Sequence, residues 1–163
     1  MSFSKTIINP EVGKNSHLFD GAGVDQLTHS AGVIVDADGV RHVYASGKTA
    51  TMDQSPDPAD WDRLVGIGDI GEQTRQVCRN ITQTLAHAGA LLDDVVRVRV
   101  YVTEPMTKRD FQRIHEARSE FFNPSHYPAS TLLVVHALAR PDAMIEIDAD
   151  AVLPVSEAEA RLQ

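Results

Sequence analysis

Near its C-terminal end the chain runs Ile145-Glu146-Ile147-Asp148-Ala149-Asp150-Ala151, which puts three carboxylates on one side of an extended segment and four apolar residues on the other. Such a row is either a solvated strand face or, where one member is shielded from water, a place for a general base or proton shuttle; Glu146 is the candidate. His115 lies four residues after Phe111 and seven before Phe122, on one helical face. It is either a packed, hydrogen-bonded histidine or one that points past the helix into a pocket, where its near-neutral pKa suits acid–base work or ligand binding. The same two readings hold for His29. Arg118 falls among Phe111, Ile114 and Phe122, and Arg99 shares a strand face with Tyr101. An arginine among apolar positions needs a partner, because burying its charge alone costs several kcal/mol. An internal salt bridge to Glu146, Asp148 or Asp150 would supply one, and so would a bound carboxylate. Ser46 precedes Gly47 at the end of a β-prone run, where its hydroxyl either faces a ligand or closes an ordinary turn. No Ser-His-Asp or Cys-His order with a nucleophile elbow is present, so covalent catalysis is not expected. The seven histidines show no HxxxH or HExxH spacing, so no metal site is expected either.

The elements that would position these groups can be read from periodicity. Residues 1–27 are rich in Gly, Asn and Pro and are expected as an arm or loop. Thr28 to Val35, Asp36-Ala37-Asp38-Gly39 and Arg41 to Ser46 read as a hairpin. From Gly47 to Gly68, Pro56, Pro58, Gly66 and Gly68 mark a long loop that Trp61 is expected to pin. Asp69 is placed to cap a helix, with Glu72 reaching back to its N–H, and Ile70, Thr74, Val77, Ile81, Leu85 and Ala88 form its apolar stripe until Gly89 stops it. Val95 to Thr103 alternates, with Val96, Val98, Val100 and Val102 on one face and Arg97, Arg99 and Tyr101 on the other. Thr107 caps a second helix that carries Phe111, Ile114, Phe121 and Phe122 inward and ends at Asn123-Pro124. Thr131 to Ala137 is a nearly unbroken apolar run and Met144 to Val152 the alternating last strand. The order ββαβαββ predicts an α+β mixed sheet with two helices on one face, in one domain over 28–153 with a tail at 154–163.

With 163 residues, 42% hydrophobic and 23% charged, the chain has the size and balance of a single globular domain. No run reaches the roughly 20 apolar residues of a spanning helix, and the N-terminus lacks a signal-peptide core, so a cytoplasmic location and no membrane partner are expected. The lone Cys78 excludes an intrachain disulfide and reads as core packing. A formal charge of -8 opposes nucleic-acid binding, and with it nuclease activity, because phosphate affinity comes from a basic surface. Two helices leave the other sheet face, with Arg97, Arg99 and Tyr101, uncovered. Self-association would cover it and would place a ligand site at the seam between subunits.

Tyr44-Ala45-Ser46-Gly47, Gln76 with Asn80, Ala88-Gly89, Asp93-Asp94-Val95-Val96, Val102-Thr103 followed by Asp110-Phe111, Phe121-Phe122, Tyr127-Pro128-Ala129 and Ile145-Glu146-Ile147 form an ordered series. This series, spanning roughly 28 to 153, resembles the Rid (YjgF/UK114) family of enamine and imine deaminases. The resemblance implies a chorismate-mutase-like fold, a homotrimer around a central barrel, pockets between subunits, a small anionic substrate or ligand, and no cofactor. Its deaminating members hydrolyse reactive intermediates such as 2-aminoacrylate to a keto acid and ammonia. It implies roles for Ser46 and Glu146, which match the family, the glutamate holding the hydrolytic water. The family's substrate-gripping arginine after Pro-Ala is here Ser130, which cannot replace a guanidinium fork. Its tyrosine on the first strand aligns with His29, its asparagine on the second helix with His115, and its glutamine after Ser-Gly with Lys48. Arg99 and Arg118, and secondarily Lys48, are the replacements available for the missing grip. The expected activity is hydrolytic deamination of a small enamine or imine. The alternative is a non-catalytic ligand-binding or regulatory trimer of the same fold.

Overall fold

An Asp-Gly pair between β-prone runs calls for a tight hairpin, and one forms: Asp38 and Gly39 take φ of 49° and 83°, the paired left-handed conformation of a two-residue type I′ turn. The computed structural model describes residues 3–8, 28–52, 55, 57, 60 and 63–163. Trp61, Pro56 and Pro58 lie outside the described residues. The hairpin strands are β2 (Gly32–Ala37) and β3 (Val40–Lys48). Beyond them come α1 (Ile70–Ala86), β4 (Val95–Thr103), α2 (Lys108–Ser119), β5 (Ala129–Val135) and β6 (Ile145–Pro154). Two elements lie outside the expected order. Phe3–Ile8, within the segment read as an arm, is a strand, β1, antiparallel to β2. Val155–Arg161, read as tail, is a short helix, α3. The mixed six-stranded sheet has the order β1-β2-β3-β6-β4-β5, antiparallel throughout except for the β4–β5 pair. No helix among the described residues is long and apolar enough to cross a membrane.

The core lies between one sheet face and the helices. Val77, Ile81 and Leu85 of α1 meet Val43, Val98, Val100, Ile145 and Ile147, all nearly inaccessible, each contributing about 1.5–3 kcal/mol by leaving water. Asp69 caps α1 by accepting from the Glu72 N–H at 3.0 Å. The expected return bond from Glu72 is replaced: the Asp69 N–H donates to the Gly66 carbonyl. At α2 the box is complete, with Thr107 and Asp110 each accepting from the other's backbone N–H.

Three expectations change at the sheet. Val96 is 48% exposed and Val95 is buried, because the β4–β6 register slips between Val95 and Arg97; a bulge there inverts the alternation that holds from Val98 onward. Phe111, expected inward, is exposed, and α2 buries only Ile114 and Ala117. The apolar strand β5 is an edge, with Leu133 and Val134 half exposed, where a continuous apolar run would ordinarily be covered on both faces.

Candidate active site

Each candidate side chain inherits its direction from the pleat. Glu146 stands opposite Tyr101, and Asp148 opposite Arg99, so these four project from the face away from α1. There Arg99 is bound to Asp148 at 2.5 Å and to Asp150 at 2.7 Å, while the Tyr101 hydroxyl donates to Asp148 at 3.4 Å. Arg99 therefore meets its charge requirement within the chain. It does so through the strand neighbours that the sequence reading named.

Glu146 is half-buried and bonded to none of these. Loss of water around its carboxyl pushes its pKa up, the negative charge of Asp148 adds to the rise, and His29 opposes it. The carboxylate lies directly over Gly47: a Cβ at residue 47 would collide with Glu146 Oε1 and stand 2.9 Å from its carboxyl carbon. A side chain at residue 47 would therefore displace the Glu146 carboxylate from its place over the backbone. Ser46 itself is committed to structure. Its hydroxyl donates to the Ser30 carbonyl at 2.7 Å and its N–H to Ala31 at 3.0 Å. Lys48, expected as a solvated loop lysine, is buried at the end of β3, opposite Ile147 beyond a register shift. Gln76 and Asn80 serve the segment that follows, where Asn80 donates to the Thr49 and Thr51 carbonyls at 3.1 and 2.8 Å.

The second group lies on the other face. Ser130 pairs with Val98, whose side chain points to the helices, and Arg118 Nη1 donates to its hydroxyl at 3.2 Å. The Arg118 guanidinium sits 5.4 Å from the centre of the Phe122 ring. With His115, Ser119, Tyr127 and Pro128 these residues line a cleft of about 330 Å³. His115 is exposed rather than a core histidine and makes no hydrogen bond among the described residues: it stacks obliquely on Phe111, centroids 4.5 Å apart, and faces the cleft. Partial burial, then the charge of Arg118, push its pKa down, so it is neutral at pH 7. Burial likewise lowers Arg118, which stays charged. No carboxylate among the described residues pairs with it, so the internal salt bridge expected for Arg118 is not formed.

The structure thus collects His115, Arg118 and Ser130 in one cleft and Glu146, Ser46 and His29 near the opposite sheet face. Tyr127, Pro128 and Ser119 were not singled out by periodicity, because two of them lie in an irregular turn before β5; the Tyr127-Pro128-Ala129 stretch was the available signal. Cys78 is wholly buried, its thiol pushed up to about 12 by loss of water, and it is chemically inert at neutral pH.

The profile of the family described as Endoribonuclease L-PSP matches residues 30–153, and the chain belongs to that family, also called YjgF or Rid. A RutC family protein of Pyrococcus abyssi is 43% identical over 82 residues, which are 50% of this chain and 61% of that protein. The chain therefore spans about three fifths of that relative's length. The 3-aminoacrylate deaminase RutC of Acinetobacter baylyi is 33% identical over 105 residues, 64% of this chain and 74% of that protein. Among solved structures, a YjgF/YER057c/UK114 family member from Mycobacterium tuberculosis superimposes with a TM-score of 0.61 at 28% identity, covering 92% of this chain and 100% of its own.

Proposed function

We propose that this protein is a hydrolytic deaminase of a small enamine or imine, with Glu146 handling the water and its protons. The observation that carries the reading is the state of Glu146: a half-dry carboxylate with a raised pKa, seated over the Gly47 backbone and left out of the Arg99–Asp148–Asp150 network. The relationship to a 3-aminoacrylate deaminase supports the same chemistry. An imine carbon is already electrophilic, so orientation and proton transfer suffice and no cofactor is needed. Glu146 accepts a proton as the water oxygen bonds to the imine carbon, the nitrogen is protonated, the C–N bond breaks, and a ketone and ammonia leave. His29 and Ser46 lie on the side of this carboxylate, and Lys48 ends β3, the strand that carries Ser46. The substrate's anionic group is held by the His115–Arg118–Ser130 cleft. Because the cleft and the carboxylate occupy opposite faces of one sheet, a complete site takes one wall from each of two copies. A homotrimer, acting in the cytoplasm, provides three such seams.

The test is ammonia release from imines generated in place by an amino-acid oxidase or a dehydratase. Acceleration over buffer that is lost in Glu146→Gln is expected. No acceleration with any of several imines, or an unimpaired Glu146→Gln, would sink the reading. A second reading, a ligand-binding trimer without turnover, is favoured by Ser130 standing where deaminating relatives carry arginine. It predicts saturable binding of keto acids by a protein that releases no ammonia.

A further inference from the structure

A partly buried cation, Arg118, stands beside the small polar side chain of Ser130. Arg118 comes from α2, rests on Phe122, and among the described residues hydrogen-bonds to the Ser130 hydroxyl alone. An arginine offers five donors, so one bond to a serine leaves most of its capacity unused, and no carboxylate among the described residues takes it up. The other walls are Phe122, Tyr127, Pro128, the His115 ring and Ser119: largely flat and apolar, with no acidic side chain. The small side chain of Ser130 leaves space along β5, and 330 Å³ lies within the roughly 300–1,000 Å³ typical of small-molecule pockets.

From this geometry we infer that Arg118 and Ser130 together form a carboxylate grip, and that the preferred ligand is a 2-keto or 2-imino acid with a bulky, flat apolar side chain. The carboxylate takes the free guanidinium N–H groups and the Ser130 hydroxyl. The apolar part lies between Phe122 and Tyr127, within reach of the neutral His115 ring. Arg99 is not the grip, because Asp148 and Asp150 already hold it and would repel an anion. The substrate class named here rests on the deaminase reading, whereas the binding selectivity can be measured without turnover.

Calorimetric titration of the full-length protein with phenylpyruvate, pyruvate and the uncharged 3-phenylpropanol reads the inference directly. Phenylpyruvate is expected to bind at least about tenfold more tightly than either of the others, a difference of about 1.4 kcal/mol. Arg118→Met, which keeps the bulk and drops the charge, is expected to lose the preference for phenylpyruvate over phenylpropanol. Ser130→Arg is expected to invert the size preference by refilling the cleft, and melting temperatures of both variants report that they are folded. Phenylpyruvate binding that is absent, no tighter than pyruvate, or unchanged in folded Arg118→Met overturns the inference. Binding as expected without ammonia release would remove the deaminase reading alone. Ammonia release with Arg118→Met binding unchanged would remove this one alone.

Discussion

At the scale of single residues, two charged groups carry an unresolved electrostatic cost, and both are the ones a ligand would relieve. Glu146 is partly buried with only His29 opposing the rise of its pKa, and Arg118 is partly buried with no carboxylate among the described residues beside it. Glu146→Gln should therefore lower imine hydrolysis by about 10²- to 10⁴-fold, the usual worth of a positioned acid–base group, as measured by ammonia release. Its effect on stability has the opposite sign. A carboxyl whose pKa is raised on folding binds more protons in the native state, so native stability falls as pH climbs from the ordinary glutamate value through the raised one. The penalty is absent below that window and complete above it. The melting temperature of Glu146→Gln should consequently exceed that of the parent at pH 7 and converge with it near pH 4. A parent protein equally stable relative to the variant at both pH values would contradict the half-dry carboxylate.

Among the elements, those specified by local chemistry are the ones the sequence disclosed. Asp38-Gly39, Asp69 and Thr107 act through their own backbone neighbours, so hairpin and helix starts could be read from a few adjacent residues. What stayed hidden depends on pairing at a distance. The bulge at Val96 is a property of how β4 meets β6, and the edge position of β5 a property of strand order; neither leaves a mark in either strand alone. β1 is six residues, only Ile8 of which is buried, and α3 buries only Ala158. Neither has an apolar face wide enough to announce itself. In the same way Glu146, His115 and the strand partners of Arg99 could be nominated from position and type, but the lack of a carboxylate beside Arg118 among the described residues could not. The helix α3 is nonetheless anchored with care. Arg161 bonds to Asp94 at 2.6 Å and to the Gly89 carbonyl at 3.2 Å, and the Val155 N–H reaches Gly39 at 3.0 Å. Gly89 has a φ of 68°, and a Cβ there would run into the Ala158 carbonyl. Gly89→Ala should accordingly cost about 1–3 kcal/mol, read as a lower denaturation midpoint at unchanged slope. A cost near zero would mean that α3 does not pack against the end of α1.

For the molecule as a whole, the open sheet face and the apolar edge of β5 argue for a partner. Leu133 is 52% exposed in the single chain and shares the open face with Tyr101. Leu133→Asp should leave the protomer fold nearly untouched, within about 0.5 kcal/mol, and shift sedimentation from the trimer we propose to a single chain. Unaltered sedimentation would locate the contact elsewhere. With a formal charge of -8 per chain, the trimer we propose would assemble against mutual repulsion, which the apolar edge would have to outweigh.

In the trimer we propose, the Glu146 carboxylate and the Arg118 cleft, on opposite sides of one sheet, would meet across each seam, so a damaged copy should be rescued by a differently damaged one. Glu146→Gln protein still presents a sound guanidinium wall, and Arg118→Met protein a sound carboxylate wall. Unfolded together and refolded as mixed rings, two preparations that are each inactive should recover activity in roughly a quarter of their junctions, those that happen to unite the two undamaged halves. Simple mixing without subunit exchange should recover none.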